Sequence, residues 1–241
     1  MLGFIDIHSH ILPGVDDGSK SMDETLRMLT IAYAEGIQIM IATPHYAVNK
    51  TNIEPEKLRE LAKEVNVAAQ ELGLNLQIIL GNELFYSVDL VNALSSGEAL
   101  TIDGTRYILL EFHPGSSIRE ITSGLKHCIH AGYIPILAHT ERYQCLRKKV
   151  EVVGDLIKIG VYIQINTSAL NGMRIDSISN FSRKLMKKGW VHFLGTDSHD
   201  LYDRPPQMLS TVNYLTKRYG EATIRKILWD NPLTVIENRF I

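Results

Sequence analysis

His8 and His10 stand two apart at the end of the apolar run Phe4-Ile5-Asp6-Ile7. Side chains alternate along a strand, so residues i and i+2 share a face. Two imidazoles on one face of a rigid strand can bind one metal ion. A His-x-His pair alone is weak evidence and gains force only where other ligand types converge on it. Further apolar runs along the chain supply them. Asp16 and Asp17 follow the first run, His45 the second and Glu83 the third. The fourth ends in Glu111 and the fifth in His139, with Glu141 and Arg142 just beyond. The sixth ends in Asn166, and the seventh in Asp197-Ser198-His199, a second pair of ligand types two apart. Imidazole and carboxylate without thiolate suit Mn, Fe or Zn, and ligand type does not choose among them. So many ligands exceed one ion of four- to six-fold coordination. Two or three ions fit better, with a carboxylate such as Glu83 bridging.

These residues need elements to hold them. The β-rich apolar runs cover 4–7, 37–42, 76–80, 107–112, 133–138, 161–165 and 191–194. They start roughly every 30 residues, the length of a strand, a helix and two turns. Ser21 and Glu24 form a capping-box pattern. Met22, Leu26, Leu29 and Tyr33 then make an apolar stripe at helical spacing, which Gly36 ends. Leu58, Leu61, Val65 and Ala69 repeat the scheme over 56–72, before Gly73. Helices are also expected at 118–131, 150–159, 175–188, 206–219 and 221–229. Strict alternation predicts a parallel sheet with helices outside. Seven repeats favour a distorted (β/α)7 TIM-like barrel, with an open doubly wound sheet as the alternative. No Gly-x-Gly-x-x-Gly follows the first strand, which weakens a dinucleotide-binding fold. No linker or low-complexity segment interrupts the pattern, so residues 1–241 are expected to form one domain.

In a parallel barrel every strand C-terminus opens on one face, where the active site lies. Residues roughly 190 positions apart are therefore expected to meet. The remaining histidines act as controls. His127 and His130 fall in a predicted helix, and His192 starts the last strand at the opposite end. His113, two past Glu111, is ambiguous and is left out.

Composition narrows the partners. The 241 residues are 45 % hydrophobic and 22 % charged, ordinary for a soluble globular protein. A net charge of −2 gives no reason to expect nucleic acid. Arg147-Lys148-Lys149 reads as a solvated helix start. Two cysteines, Cys128 and Cys145, are too few for a disulfide framework and fit a reducing cytosol. Neither a leader peptide nor a membrane-spanning run is visible. A cysteine-based phosphatase would need an arginine six residues after its cysteine. Ile134 and Glu151 stand there instead. No Gly-x-Ser-x-Gly or P-loop occurs.

Charge points to the substrate class. Asp17, Glu83, Glu111 and Asp197 would contribute roughly −4 against about +6 from three divalent ions. The net of about +2, one less with a bridging hydroxide, favours a dianionic phosphate over a neutral amide or ester. Adjacent ions lower the pKa of bridging water and stabilise an in-line displacement at phosphorus. Guanidinium groups would complete such a clamp, and Arg142 and Arg204 each follow a ligand type by a few residues.

The motifs His8-Ser9-His10-Ile11-Leu12-Pro13-Gly14-Val15-Asp16-Asp17-Gly18, Ala42-Thr43-Pro44-His45 and Gly81-Asn82-Glu83 resemble the PHP superfamily of polymerase and histidinol phosphatase domains. So do Leu110-Glu111-Phe112, His139-Thr140-Glu141-Arg142 and Asp197-Ser198-His199. The opening motif is similar, more narrowly, to the CpsB/CapC-type bacterial protein-tyrosine phosphatases. The resemblance implies a distorted (β/α)7 barrel with a trinuclear, usually manganese-dependent centre. His8, His10, Glu83 and Asp197 would hold one ion. Glu83, Glu111 and His139 would hold the second, and Asp17, His45 and His199 the third. Asp17 rather than Asp16 rests on the resemblance alone. Arg142 and Arg204 match the family's phosphate-binding arginines and, with Asp197, are the expected catalytic residues. Thr140 stands where the family often has proline, which touches loop rigidity and no ligand.

The implied substrate is phosphotyrosine on the tail of a bacterial tyrosine autokinase that controls capsule or exopolysaccharide export, and the protein itself is expected in the cytoplasm. The alternative is a small-molecule phosphomonoesterase of the same superfamily, acting on histidinol phosphate. That activity needs a deeper pocket, and the short connections after these strands favour an open cleft. An amidohydrolase would often carry a lysine at a strand end, and none is there. A non-catalytic scaffold needs no arginine clamp.

Overall fold

All seven apolar runs form strands, and every strand pairing is parallel. The computed structural model describes residues 3–172 and 175–241. In chain order the strands are β1 (Phe4–Ser9), β2 (Ile37–Ala42), β3 (His45–Ala47), β4 (Gln77–Leu80) and β5 (Glu83–Phe85). They continue with β6 (Tyr107–Glu111), β7 (Ile134–Leu137), β8 (Tyr162–Asn166) and β9 (Phe193–Gly195). The short strands β3 and β5 were not foreseen. They are resumptions of β2 and β4 after a break at Thr43-Pro44 and at Gly81-Asn82. Pro44 has no N–H to give a ladder, so β2 stops before it. The Gly81 N–H donates to Ala42 O at 2.9 Å and the Glu83 N–H to Pro44 O at 3.1 Å, which carries the wall across the break.

The wall therefore has two tiers, β1-β2-β4 and β3-β5-β6-β7-β8-β9. The distorted (β/α)7 barrel returns on itself where β1 meets the exit of β9. A parallel bridge joins Ser9 to Ser198. The His10 N–H donates to Ser198 O and the Asp197 N–H to His8 O, each at 2.8 Å.

Two apolar layers follow from the alternation of side chains. Ile5, Ile7, Ile41, Ile79, Tyr107, Leu109, Ile136 and Phe193 fill the interior. Leu84, Leu110, Leu137, Ile163 and Leu194 face outward into a core shared with the helices. Each such aliphatic side chain contributes about 1.5–3 kcal/mol by leaving water.

The helices are α1 (Met22–Ala34), α2 (Pro55–Glu71), α3 (Leu90–Ser96), α4 (Ile118–His130), α5 (Gln144–Lys148) and α6 (Glu151–Lys158). Beyond them lie α7 (Ser177–Lys187), α8 (Leu209–Tyr219), α9 (Glu221–Arg225) and α10 (Asn231–Ile236). At α1 half of the expected capping box forms. Ser21 Oγ accepts from the Glu24 N–H at 3.2 Å, but the Glu24 carboxylate takes the Lys20 N–H instead of that of Ser21. The helix expected from 206 begins at Leu209, because the Glu35 carboxylate caps it from α1's end. Glu35 Oε2 accepts the N–H groups of Met208 and Leu209 at 3.0 and 2.7 Å. The helix expected over 221–229 instead passes through a π-turn, Lys226–Asp230, into α10. Pro232 lies in the first turn of α10, where no N–H is needed. Val235 of that helix closes the N-terminal end of the interior cluster. Arg147-Lys148-Lys149 corrects the solvated-start expectation. Arg147 and Lys148 end the short helix α5, and Arg147 Nη1 donates to the carbonyls of Glu141 and Arg142 at 2.6 and 2.8 Å. It braces the loop that carries Arg142.

His192 confirms its placement at the far end of the barrel. Its Nδ1 accepts the Ile163 N–H at 3.0 Å, so the neutral ring is the bonded form. Burial and the charge of Lys226 push its pKa down to about 4. The unfolded chain therefore binds the extra proton first, near pH 6.5. This contribution to stability is present above that pH and is lost as pH falls toward 4. In His192→Gln, the drop in urea midpoint between pH 7 and pH 5 should be smaller than in the native chain. An identical drop would show that His192 does not carry this dependence.

Candidate metal centre

Alternation alone would not aim His8 inward, because Ile5 and Ile7 already face the interior. The pairing of β1 with β2 shifts register between Asp6 and Ser9. Such a bulge re-aims the strand, and His8 and His10 then face one another with Nε2 atoms 3.3 Å apart. Asp6 pins the bulge. Its carboxylate accepts the His8 N–H at 3.3 Å, the Thr196 N–H at 2.9 Å and the Thr196 hydroxyl at 2.5 Å. Two glycines permit close approach. A Cβ on Gly195 would lie 2.8 Å from His8 Cβ, and one on Gly18 would lie 2.0 Å from His10 O. At β7, Ala138 faces the interior, so His139 needs a reversal to follow it. It takes one by adopting φ +30°, while Asp197 adopts φ +53°. Left-handed backbone at non-glycine residues costs of order 1–3 kcal/mol and concentrates at functional sites. Gln164 Oε1 holds the reversal by accepting the His139 N–H at 2.5 Å.

All nine predicted ligand types meet at this face. Glu83 is the hub. Its Oε2 lies 3.1 Å from both His8 Nε2 and His10 Nε2 and 3.3 Å from His45 Nδ1, and its Oε1 lies 2.7 Å from His139 Nε2. Asp197 Oδ1 is 3.5 Å from His8 Nε2 and from His10 Nε2. Ligand atoms of His8, His10, Glu83 and Asp197 all lie within 4.8 Å of one another. So do those of His10, Asp17, His45 and His199, and those of His45, Glu83 and Glu111. His139 Nε2 approaches Glu111 Oε2 at 3.5 Å. The first set coincides with the one expected. In the other two, His45 reaches both ways, and His10 joins Asp17 and His199. His113 is exposed on its own turn, where its Nδ1 accepts the Gly115 N–H at 3.1 Å.

The two neighbouring aspartates separate cleanly. Asp17 Oδ1 lies 3.3 Å from His45 Nε2 and 3.4 Å from His199 Nε2. Asp16 turns the other way. It accepts from His10 Nδ1 at 2.7 Å, from the Gly18 N–H at 2.9 Å and from the His45 N–H at 3.1 Å. Burial works to raise the Asp16 carboxyl, but these bonds, His10 above all, outweigh it and leave its pKa at about 2.

The orientation of the rings tests whether the site fits a metal. His8 Nδ1 lies 3.3 Å from Gln164 Oε1, and His199 Nδ1 lies 2.9 Å from Asp197 O. With His10 on Asp16, three imidazoles have Nδ1 tied to an acceptor and turn Nε2 toward the carboxylates. Metal-binding histidines are held this way. His199 Nε2 is buried and makes no hydrogen bond. Charge agrees. Burial works to lower His10 and His139, but bonds to Asp16 and Glu83, and to Glu111 and Glu83, raise them to about 10 and about 9. Burial works to raise Glu83, but its histidine partners hold it well below the usual carboxylate range. The donor set draws positive charge into its centre, and its chemistry fits divalent ions.

Several supporting residues were given no role in the sequence reading, although Asn166 was named at its strand exit. Gln164 and Asn166, two apart on β8, form a chain in which Gln164 Nε2 donates to Asn166 Oδ1 and Asn166 Nδ2 to Asp197 Oδ2, both at 2.8 Å. A polar pair at i and i+2 in an apolar strand was the available signal. Asp6, a carboxylate inside an apolar run, was another.

Arg142 pairs with Asp197 through Nη2, and Arg204 Nη2 lies 3.4 Å from Asp17 Oδ2. Both guanidinium groups line a polar cleft of about 310 Å³ with Asn166, Thr196 and Asp197. A larger cleft of about 580 Å³ at Gln38, Gln77 and Trp229 has no ionisable lining residue.

A family model described as capsular polysaccharide synthesis, CpsB/CapC, matches residues 4–237. The chain belongs to the CpsB/CapC family. The tyrosine-protein phosphatase CpsB of Streptococcus pneumoniae is 33 % identical over 242 residues, spanning 98 % of this chain and 100 % of that protein. The tyrosine-protein phosphatase YwqE of Bacillus subtilis (strain 168) is 29 % identical over 238 residues, spanning 98 % and 93 %. A crystal structure from work on YwqE and CpsB, described as unique metal-dependent tyrosine phosphatases, superposes with a TM-score of 0.91. Its identity is 29 %, covering 98 % of this chain and 96 % of that one. The CpsB/CapC assignment thus extends over the barrel and every element of the site.

In this CpsB/CapC chain Asp16 orients the His10 imidazole and holds the His45 main chain without facing the centre. Asp16→Ala should weaken Mn²⁺ binding about 10- to 100-fold with the fold retained. Titration calorimetry and far-UV circular dichroism would check this. Unchanged affinity would remove Asp16 from the support of the centre.

Proposed function

We propose that this protein is a metal-dependent protein-tyrosine phosphatase, hydrolysing phosphotyrosine on a bacterial tyrosine autokinase and so regulating capsule or exopolysaccharide synthesis. The observation that carries it is the junction of a cation-demanding cluster with two guanidinium groups at the mouth of one barrel. In this proposal three Mn²⁺ ions are held. His8, His10, Glu83 and Asp197 take one; Glu83, Glu111 and His139 another; Asp17, His45 and His199 the third. Bound divalent ions lower the pKa of water and neutralise phosphoryl charge. Arg142 and Arg204 grip the peripheral phosphate oxygens and hold phosphorus in line. Both lie over carboxylates, so each is already oriented into the cleft before substrate arrives. The tyrosine oxygen leaves as a phenolate, whose parent pKa of about 10 makes it a fair leaving group. Residues 1–241 act as one domain, in the cytoplasm. No described helix is long and apolar enough to cross a membrane.

Metal-stripped protein should release no phosphate from a tyrosine-phosphorylated peptide, and added Mn²⁺ should restore release. Histidinol phosphate, offered in parallel, should be a poor substrate; release from it alone would move the activity to small-molecule metabolism. His139→Ala should abolish activity with the fold kept, and full activity would sink the site. Arg204→Ala should lower kcat/KM about 100-fold with metal content unchanged. Loss of metal instead would make Arg204 structural.

A further inference from the structure

Strand β5 carries more than Glu83. Its middle residue, Leu84, faces the outer core. Glu83 and Phe85 therefore share the inward side. The register places His45, Glu83 and Leu109 in one row across β3, β5 and β6, and Ala47, Phe85 and Glu111 in the next row toward the mouth. Phe85 stands about 6.6 Å further along the strand than Glu83 and about 4.8 Å from the Glu111 strand. Its other neighbour is a small alanine, which leaves that flank of the ring open. Phe85 is 38 % exposed. Among the large apolar side chains exposed in the described residues, it alone springs from a barrel strand. Phe240, by contrast, lies under Arg106 at the chain's end.

We propose that Phe85 is the specificity-determining residue for the aryl group of the substrate, stacking on the ring that phosphotyrosine carries and an aliphatic phosphate ester lacks. This rests on the phosphatase function proposed above. A phosphate held at the level of Glu83 and gripped by the two arginines points its ester oxygen toward the mouth. The ring of phosphotyrosine then emerges one row further out, the row of Phe85. Aromatic pairs prefer offset or edge-to-face contact and discriminate by about two- to tenfold. Phosphoserine brings no ring to that row, and selectivity is the difference between the two.

The test uses Mn²⁺-loaded protein and two non-hydrolysable probes, phenylphosphonate and methylphosphonate, titrated by calorimetry. The native protein should prefer the phenyl probe. Phe85→Ala should reduce that preference about fivefold, leaving methylphosphonate affinity unchanged, and Phe85→Tyr should retain it. In turnover, Phe85→Ala should raise KM for a phosphotyrosine peptide and not for a phosphoserine peptide. An absent aryl preference in the native protein, or equal losses for both probes, or no change in Phe85→Ala, would overturn the assignment. Failure of the phosphatase function would appear elsewhere, as no phosphate release from the phosphotyrosine peptide by native protein that still prefers phenylphosphonate.

Discussion

A single buried carboxylate sets the terms for this protein. Glu83 is 1 % exposed and touches His8, His10, His45 and His139. An ionised carboxylate taken out of water costs several kcal/mol unless it is surrounded by partners. Those partners come from β1, the entry to β3 and the exit of β7, so only a closed wall of strands can assemble them. The barrel and the charge centre therefore depend on each other. The wall positions the imidazoles, and the imidazoles make the burial of Glu83 tolerable.

The barrel is divided along its axis. Below, alternating isoleucines, Leu109, Tyr107 and Phe193 pack the interior, and α10 covers the end. Above, the same strands turn polar within one or two residues. The transition is supported by groups that never face the centre. Asp6 holds the bulge, Asp16 fixes two histidines, and Gln164 and Asn166 link His8, His139 and Asp197. With several rings tied at Nδ1, binding a cation requires little rearrangement, the condition under which electrostatic sites work best. The left-handed backbone at His139 and Asp197 is tolerated because that network over-determines it.

Much of this was legible in the residues. Apolar runs spaced by helical stripes marked the strands, and the ligand types at their exits marked the face. The breaks in β2 and β4 were not legible, although Pro44 offered a hint, because a two-residue interruption leaves hydrophobic patterning intact. Helix ends set by distant groups were also invisible. Glu35 starts α8 from far away in sequence, and nothing local to 206–209 announces it. Arg147 looked like a surface charge because its acceptors are backbone carbonyls, which carry no sequence signature.

By itself the sequence determined the ingredients: seven strand-and-helix units, their parallel sense, and imidazole and carboxylate groups at the strand exits. Side-chain periodicity and residue chemistry are local properties, and local properties can be read along a chain. The tertiary structure alone decided the aim of those groups. Alternation carries Glu83 and Glu111 inward on its own, but His8 needs a bulge and His139 a reversed backbone. It also decided that Asp17 and not Asp16 faces His45 and His199, since adjacent residues of one loop have identical chemistry and opposite directions. Direction depends on backbone torsion under contact from other strands, and those contacts exist only once the barrel has closed.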